Sequence, residues 1–298
     1  MIEICDVAAR DGLQSDEEVW PVTDKLELIR RSVDAGIRRL EVASFVNPTR
    51  VPAMAGAEEL CASLPPADGV RYVGLVLNDR GLDRAIAAGL SEINVVAVCS
   101  DTFGQRNQGV AAQQSVDAFG RIASRAAEAG IATQVVLSTA FGCPYEGEVP
   151  LQRVVDFAAQ CAAAGPNRLT LADTIGAAAP ADIEARIPAV QAQLPPEVTL
   201  AVHLHNSRGT GLANAWAAYG LGVRSFDASL GGIGGCPFAP GASGNVCLED
   251  MAYLFERSGV ATGLNLDELI GASRWLGNRL GRATPGNLAK AGPFPRRD

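Results

Sequence analysis

Short apolar or β-branched runs alternate along the chain with Ala-rich stretches whose apolar residues recur at spacings of three and four, as in Leu26, Ile29 and Val33. The runs at 2–7, 39–43, 70–77 and 92–98 predict strands, followed by helices over 23–35, 52–63, 79–88 and 112–129. The same alternation continues with strands at 132–138, 168–171, 199–204 and 225–229, and helices over 151–164, 180–194, 209–221 and 248–258. The strands are nearly continuous apolar runs, as expected of parallel strands covered on both faces. Four of the helices close on Ala-Gly (Ala35-Gly36, Ala88-Gly89, Ala129-Gly130, Ala164-Gly165), the composition of a left-handed C-terminal cap. No Ser/Gly/Pro-rich linker divides these eight strand–helix units. A doubly wound sheet would want G-x-G-x-x-G after its first strand, where Arg10-Asp11-Gly12-Leu13-Gln14 stands instead. The pattern therefore predicts an α/β fold, a (β/α)8 barrel over 1–262. The remaining segment, 263–298, is a C-terminal helical appendage with one helix at 266–280 and a Pro/Gly/Arg tail.

Composition narrows the function without naming it. A chain of 298 residues with 48% hydrophobic and 19% charged side chains can bury a large core, so disorder is excluded. A net charge of −8 argues against a nucleic-acid or anionic-membrane partner. No apolar run is long enough to span a bilayer, and Met1-Ile2-Glu3-Ile4 begins as a strand without the basic and apolar regions of a signal peptide. The seven cysteines are scattered and contain no C-x-x-C, which disfavours a disulfide framework or structural zinc site and makes a reduced, cytoplasmic setting the expectation. Only two of the 25 cationic side chains are lysines, Lys25 and Lys290, so any phosphate-binding surface must rely on arginine.

In such a barrel the chemistry sits where the strands end. Polar residues at those ends are Arg10 and Asp11 after the first strand, Glu41 at the second, Ser100 and Asp101 after the fourth and Asp173 at the sixth. The seventh strand carries His203 and His205, the only histidines of the chain. Strand alternation puts both imidazoles on one face. With Asp11, and a neutral oxygen from Asn245, they form a mixed N/O set suited to Mg²⁺ or Mn²⁺ with positions left open. A buried hydrogen-bonded histidine and a surface Arg10–Asp11 turn are the plainer alternatives. Glu41, inside an apolar strand, needs a cation, and Arg10 is the obvious one. Asp173 is either the cap of a short turn or an acid/base carboxylate. Cys236 stands apart from the other cysteines because it lies in the glycine-dense loop 231–245, where it is either a packing residue or a proton donor.

Taken together, Arg10-Asp11-Gly12-Leu13-Gln14, Glu41-Val42-Ala43-Ser44-Phe45, Gly142-Cys143-Pro144-Tyr145-Glu146-Gly147, Asp173-Thr174-Ile175-Gly176, His203-Leu204-His205 and the loop from Gly234 to Asn245 resemble the 3-hydroxy-3-methylglutaryl-CoA lyase family of the DRE-TIM metallolyase superfamily. The resemblance runs in order from about residue 2 to 280, and the Cys236 loop is specific to the lyase branch. Condensing relatives share the Arg-Asp and His-x-His elements but normally carry a long additional C-terminal region.

The resemblance implies that Asp11, His203, His205 and Asn245 bind the divalent cation. It makes Arg10, Glu41, Asp173, His203 and Cys236 the catalytic set, with Arg10, Ser44 and Asn107 toward the substrate, an acyl-CoA thioester. It implies retro-Claisen cleavage of 3-hydroxy-3-methylglutaryl-CoA to acetyl-CoA and acetoacetate, with a related 3-hydroxyacyl-CoA such as citramalyl-CoA as the alternative. A transferase condensing acetyl-CoA with a 2-oxo acid is the more distant one. A homodimer or larger homo-oligomer is the expected assembly. The chain departs from the family pattern at Val98-Cys99-Ser100-Asp101-Thr102-Phe103, at Ala172 and at Asn206. None of these is a proposed cation ligand, so the departures bear on the acyl pocket.

Overall fold

The computed structural model describes residues 1–16, 18–66, 68–235 and 244–295. Eight parallel strands close into a barrel in sequence order: β1 (Glu3–Asp6), β2 (Arg39–Ser44), β3 (Arg71–Val76), β4 (Glu92–Val98), β5 (Ala132–Ser138), β6 (Arg168–Asp173), β7 (Thr199–Leu204) and β8 (Ser225–Ala228). The β1–β8 pairing, with Glu3 beside Ser225 and Cys5 beside Asp227, seals the ring. The helices are α1 (Val22–Asp34), α2 (Ala57–Ala62), α3 (Asp79–Ala87), α4 (Asp101–Asn107), α5 (Ala112–Glu128), α6 (Leu151–Ala162), α7 (Pro180–Gln191), α8 (Gly211–Gly220), α9 (Leu248–Arg257), α10 (Leu266–Leu280) and α11 (Leu288–Ala291). Gly36, Gly89, Gly130 and Gly165 all adopt positive φ, so the four Ala-Gly stops are left-handed caps. No helix among the described residues is long and apolar enough to cross a membrane.

Three local features go beyond the predicted elements. The segment after β4 forms the short helix α4, capped by Ser100, whose Oγ accepts from Phe103 N at 3.2 Å. The predicted helix 52–63 breaks into a 3₁₀ turn (Pro52–Met54) and α2, divided by Gly56 at φ 76°. The tail after α10 contains α11. Helix α10 packs on the barrel's outer layer: Trp275 meets Trp20 edge-on at 6.3 Å, and Arg279 Nε donates to Asp24 on α1 at 2.6 Å.

The strands are less uniformly apolar than their sequence reading implies. Arg39 of β2 pairs with Glu92 of β4, and Gln134 Nε2 of β5 donates to Glu92 at 2.6 Å. Arg168 of β6 pairs with Asp227 of β8 at 2.6 Å. Two of these contacts skip a strand, so they run through the barrel interior. All five side chains are buried. The outward faces (Leu169 and Leu171, Val95 and Ile93) supply the apolar layer against the helices, while paired charges occupy the inside.

Candidate active site

The chain leaves β1 through a single wide turn, Ala8–Gly12, in which the amides of Arg10, Asp11 and Gly12 all point at Val7 O (3.2, 2.8 and 3.1 Å). This π-helical turn delivers two consecutive charged side chains to the barrel mouth. Its start is held by Asp6, whose carboxylate accepts from Ala8 N (2.9 Å), Leu230 N (3.1 Å) and Ser32 Oγ (2.6 Å). Asp6 was no candidate in the sequence. Gly12 is closely packed: a Cβ there would lie 2.8 Å from Ile233 Cγ1, so that side chain would have to shift. Gly234, at φ +102°, passes so close that a Cβ would lie 2.9 Å from Asp11 O. The glycine loop after β8 thus lies directly against the Arg-Asp turn.

Arg10 is gripped from both sides. Its Nε donates to Glu41 Oε2 at 2.5 Å and its Nη1 to Asp11 Oδ1 at 2.5 Å. Glu41 is aimed inward beside an irregularity in the β2–β3 register between Glu41 and Ala43, and Asn94 Nδ2 donates to its Oε1 at 2.8 Å. The partner expected for Glu41 is the observed one.

Asp11, His203 and His205 come together, each offering a ligand atom within 4.8 Å of the others. His203 Nε2 lies 3.2 Å from His205 Nε2 and 4.0 Å from Asp11 Oδ2. Donors of an octahedral cation with bonds of about 2.1 Å stand roughly 3.0 Å (adjacent) to 4.2 Å (opposite) apart, so this spacing fits such an ion. Asn245 joins them: it bridges to His205 through the backbone, and its Nδ2 donates to Asp11 Oδ2 at 2.7 Å. Its Oδ1 is buried with no hydrogen-bond partner among the described residues, an acceptor that a cation would satisfy.

The electrostatics agree with that donor set. Burial works against the Asp11 charge, but the Arg10 guanidinium and both imidazoles outweigh it and hold the carboxyl well below its usual range. Burial, and next His203, push His205 down to about 4, which keeps its ring neutral and its lone pair available near pH 7. For His203 burial is overcome by the hydrogen bond that its Nδ1 donates to Asp227 and by the charge of Asp11, so its pKa is raised. A cation competes with that proton.

A cavity of about 1770 Å³ opens at this mouth, lined by Arg10, Asp11, His203, His205, Ser138 and Thr174. It runs outward past Asn107 to Arg50, Arg106, Arg121 and Arg282. Of the substrate-side candidates, Arg10 and Asn107 line it. Ser44 does not: it is fully buried, and its Oγ has no hydrogen-bond partner among the described residues. Asp173 is also turned away from the cavity, though its neighbours Ala172 and Thr174 face it. Its two oxygens accept from Ala177 N (2.8 Å) and Ala178 N (3.1 Å), the turn-capping alternative. Asp101 likewise serves structure, taking Ala112 N and Arg153. Cys236 lies outside the described residues. Asn94, Arg168 and Asp227 escaped the sequence reading. Their signal was a charged or amide side chain inside an apolar strand, the same signal that exposed Glu41.

A family model described as HMGL-like matches residues 1–276. The (R)-citramalyl-CoA lyase of Chloroflexus aurantiacus is 42% identical over 302 residues, spanning 98% of this chain and 95% of its own length. The hydroxymethylglutaryl-CoA lyase of Bacillus subtilis is 38% identical and covers 95% of each chain. Among solved structures, an HMG-CoA lyase from Acinetobacter baumannii in complex with coenzyme A and 3-methylmalate superposes with a TM-score of 0.95 at 38% identity, covering 100% of this chain and 97% of that one. With the family model spanning residues 1–276 and these relatives matched over nearly their whole lengths, the chain belongs to the HMGL-like family.

Proposed function

We propose that the protein is a divalent-cation-dependent carbon–carbon lyase that cleaves 3-hydroxy-3-methylglutaryl-CoA to acetyl-CoA and acetoacetate. The observation that carries this reading is the convergence of Asp11, His203, His205 and Asn245 on one point beside the doubly anchored guanidinium of Arg10. Cleavage needs three things: loss of the proton of a tertiary alcohol, a place for charge on the thioester oxygen, and a proton for the resulting enolate.

Those four side chains would hold a Mg²⁺ or Mn²⁺, which would supply Lewis acidity for ionising the alcohol and help orient the substrate. As the alcohol proton passes to water in the open cavity and the alcohol oxygen forms a carbonyl, the bond between C2 and C3 breaks and its electron pair moves onto the thioester. Arg10 faces that charge. Because Glu41 and Asp11 hold the guanidinium in place before the reaction, no reorganisation is needed as the charge develops. Cys236 is the proposed source of the proton that turns the enolate into acetyl-CoA. The four arginines at the outer cavity wall suit the phosphates of a CoA thioester, in a chain with almost no lysine to offer.

The 42% identity to a citramalyl-CoA lyase favours a second reading, in which the acyl group is (R)-citramalyl and the products are acetyl-CoA and pyruvate. The two substrates differ by one methylene between the carbinol carbon and the carboxylate, which a pocket discriminates by only about 1–3 kcal/mol. Acetyl-CoA release is therefore to be measured from both thioesters in parallel. A higher kcat/KM for 3-hydroxy-3-methylglutaryl-CoA supports the first reading, and the reverse order supports the second. Activity with neither, together with product formed from acetyl-CoA and a 2-oxo acid, would replace both with a condensing enzyme.

A further inference from the structure

We infer that Asp227 is a positioning residue for the cation site, fixing the His203 ring so that its Nε2 is presented to the point shared with His205 and Asp11. The inference rests on the reading of His203 as a cation ligand. Asp227 and His203 are register partners on β8 and β7, and Asp227 Oδ2 lies 3.3 Å from His203 Nδ1. The other oxygen, Oδ1, accepts from Arg168 Nη2 at 2.6 Å. Arg168 reaches across from β6, past β7, and both members of the pair are buried. The guanidinium therefore anchors one end of the carboxylate and leaves the other facing the imidazole. A carboxylate there accepts a hydrogen bond from Nδ1–H, which keeps the proton on Nδ1 and places the lone pair on Nε2. That Nε2 is the atom 3.2 Å from His205 Nε2 and 4.0 Å from Asp11 Oδ2.

The two histidines are held by different means. His205 is tied through its backbone bridge to Asn245, and its buried Nδ1 has no hydrogen-bond partner among the described residues. Among the described residues, His203 has a carboxylate behind its Nδ1, itself anchored by a buried guanidinium, whereas His205 has neither. The barrel also supplies a built-in comparison. Arg39–Glu92 is a second buried pair between alternate strands, yet no hydrogen bond connects it to either histidine.

The test uses metal-free full-length protein titrated with Mn²⁺, with free Mn²⁺ read by electron paramagnetic resonance. Asp227→Asn should weaken Mn²⁺ binding about 10–100-fold, the usual effect of losing such a partner. Because that change strands the Arg168 charge, the double variant Asp227→Asn/Arg168→Gln is measured beside it and should be weakened to the same extent. The control Arg39→Gln/Glu92→Gln should bind Mn²⁺ as the parent protein does. Parent-like affinity in the folded Asp227 variants, or an equal loss in the control, would overturn the inference. His203→Gln separates this from the reading beneath it. If His203→Gln also binds normally, His203 is no ligand and both fall. If it binds weakly while the Asp227 variants bind normally, only the positioning role is lost.

Discussion

Glu41 holds Arg10 from inside the barrel: Oε2 accepts from Arg10 Nε at 2.5 Å, while Oε1 is itself fixed by Asn94 Nδ2 at 2.8 Å. The guanidinium at the mouth is thus set by a chain of contacts from β4 through β2 to the turn after β1. Asp11 completes the grip on its other side. An arginine restrained in this way acts on developing charge without first having to be ordered.

Arg10→Met should therefore lower kcat by about 10²–10³ with little change in KM, since removing one preorganised group typically costs that much. Mn²⁺ affinity should survive. A steady-state comparison decides the matter, because a raised KM at unchanged kcat would make Arg10 an anchor for the thioester instead. Glu41→Gln should lower kcat in the same direction while leaving Arg10 in place.

Metal removal is the direct check on the donor cluster. EDTA should abolish turnover, and Mg²⁺ or Mn²⁺ should restore it. Asp11→Ala and His203→Ala should each lose both rate and cation affinity. Full activity in protein shown by elemental analysis to be metal-free would rule out the cation-dependent mechanism.

Cys236 belongs to a loop whose flanking glycines, Gly234 and Gly244, both adopt positive φ. Cys236→Ser should retain the fold and cation binding but lose on the order of 10²-fold in kcat, the scale of a positioned acid/base group. Alkylation should inactivate the enzyme, and a bound substrate analogue should protect it. Near-parental kcat in the serine variant would remove the proton-transfer role.

Asp6 carries a prediction about pH and stability. Burial raises its pKa above 3.8, against the opposing effect of its three hydrogen bonds. A carboxyl with a raised folded pKa contributes stability below its unfolded pKa and loses it as pH climbs through the folded value. An amide fits the same contacts, with its oxygen accepting from Ala8 N and Leu230 N and its nitrogen donating to Ser32 Oγ. Asp6→Asn should therefore gain stability relative to the parent as pH is raised from about 4 to about 7, measured by urea unfolding across that range. A difference that stays flat or shrinks with rising pH would contradict this account.

The barrel was legible in the sequence because its signals are local. Apolar runs, helical spacing and Ala-Gly stops each act over a few residues, and their eightfold repetition without a linker leaves few ways to bury every strand. The histidine pair was legible for a similar reason: the i, i+2 spacing of His203 and His205 fixes a shared face whatever the neighbours do. The Glu41–Arg10 pair followed from the cost of burying a lone carboxylate. What the sequence could not show depends on closure and on register. Arg39–Glu92, Glu41–Asn94 and Arg168–Asp227 join strands that are not neighbours, so they exist only once the sheet has curled into a ring. Ser44 and Asp173 sit in motifs that promised a site, yet both side chains turn away from the cavity. On β2 the register shifts between Glu41 and Ala43, and on β6 Asp173 shares the outward face of Leu169 and Leu171 rather than the inward face of Ala172. Which residue of a motif meets the substrate is decided by strand parity, and parity is set by pairing across the whole barrel.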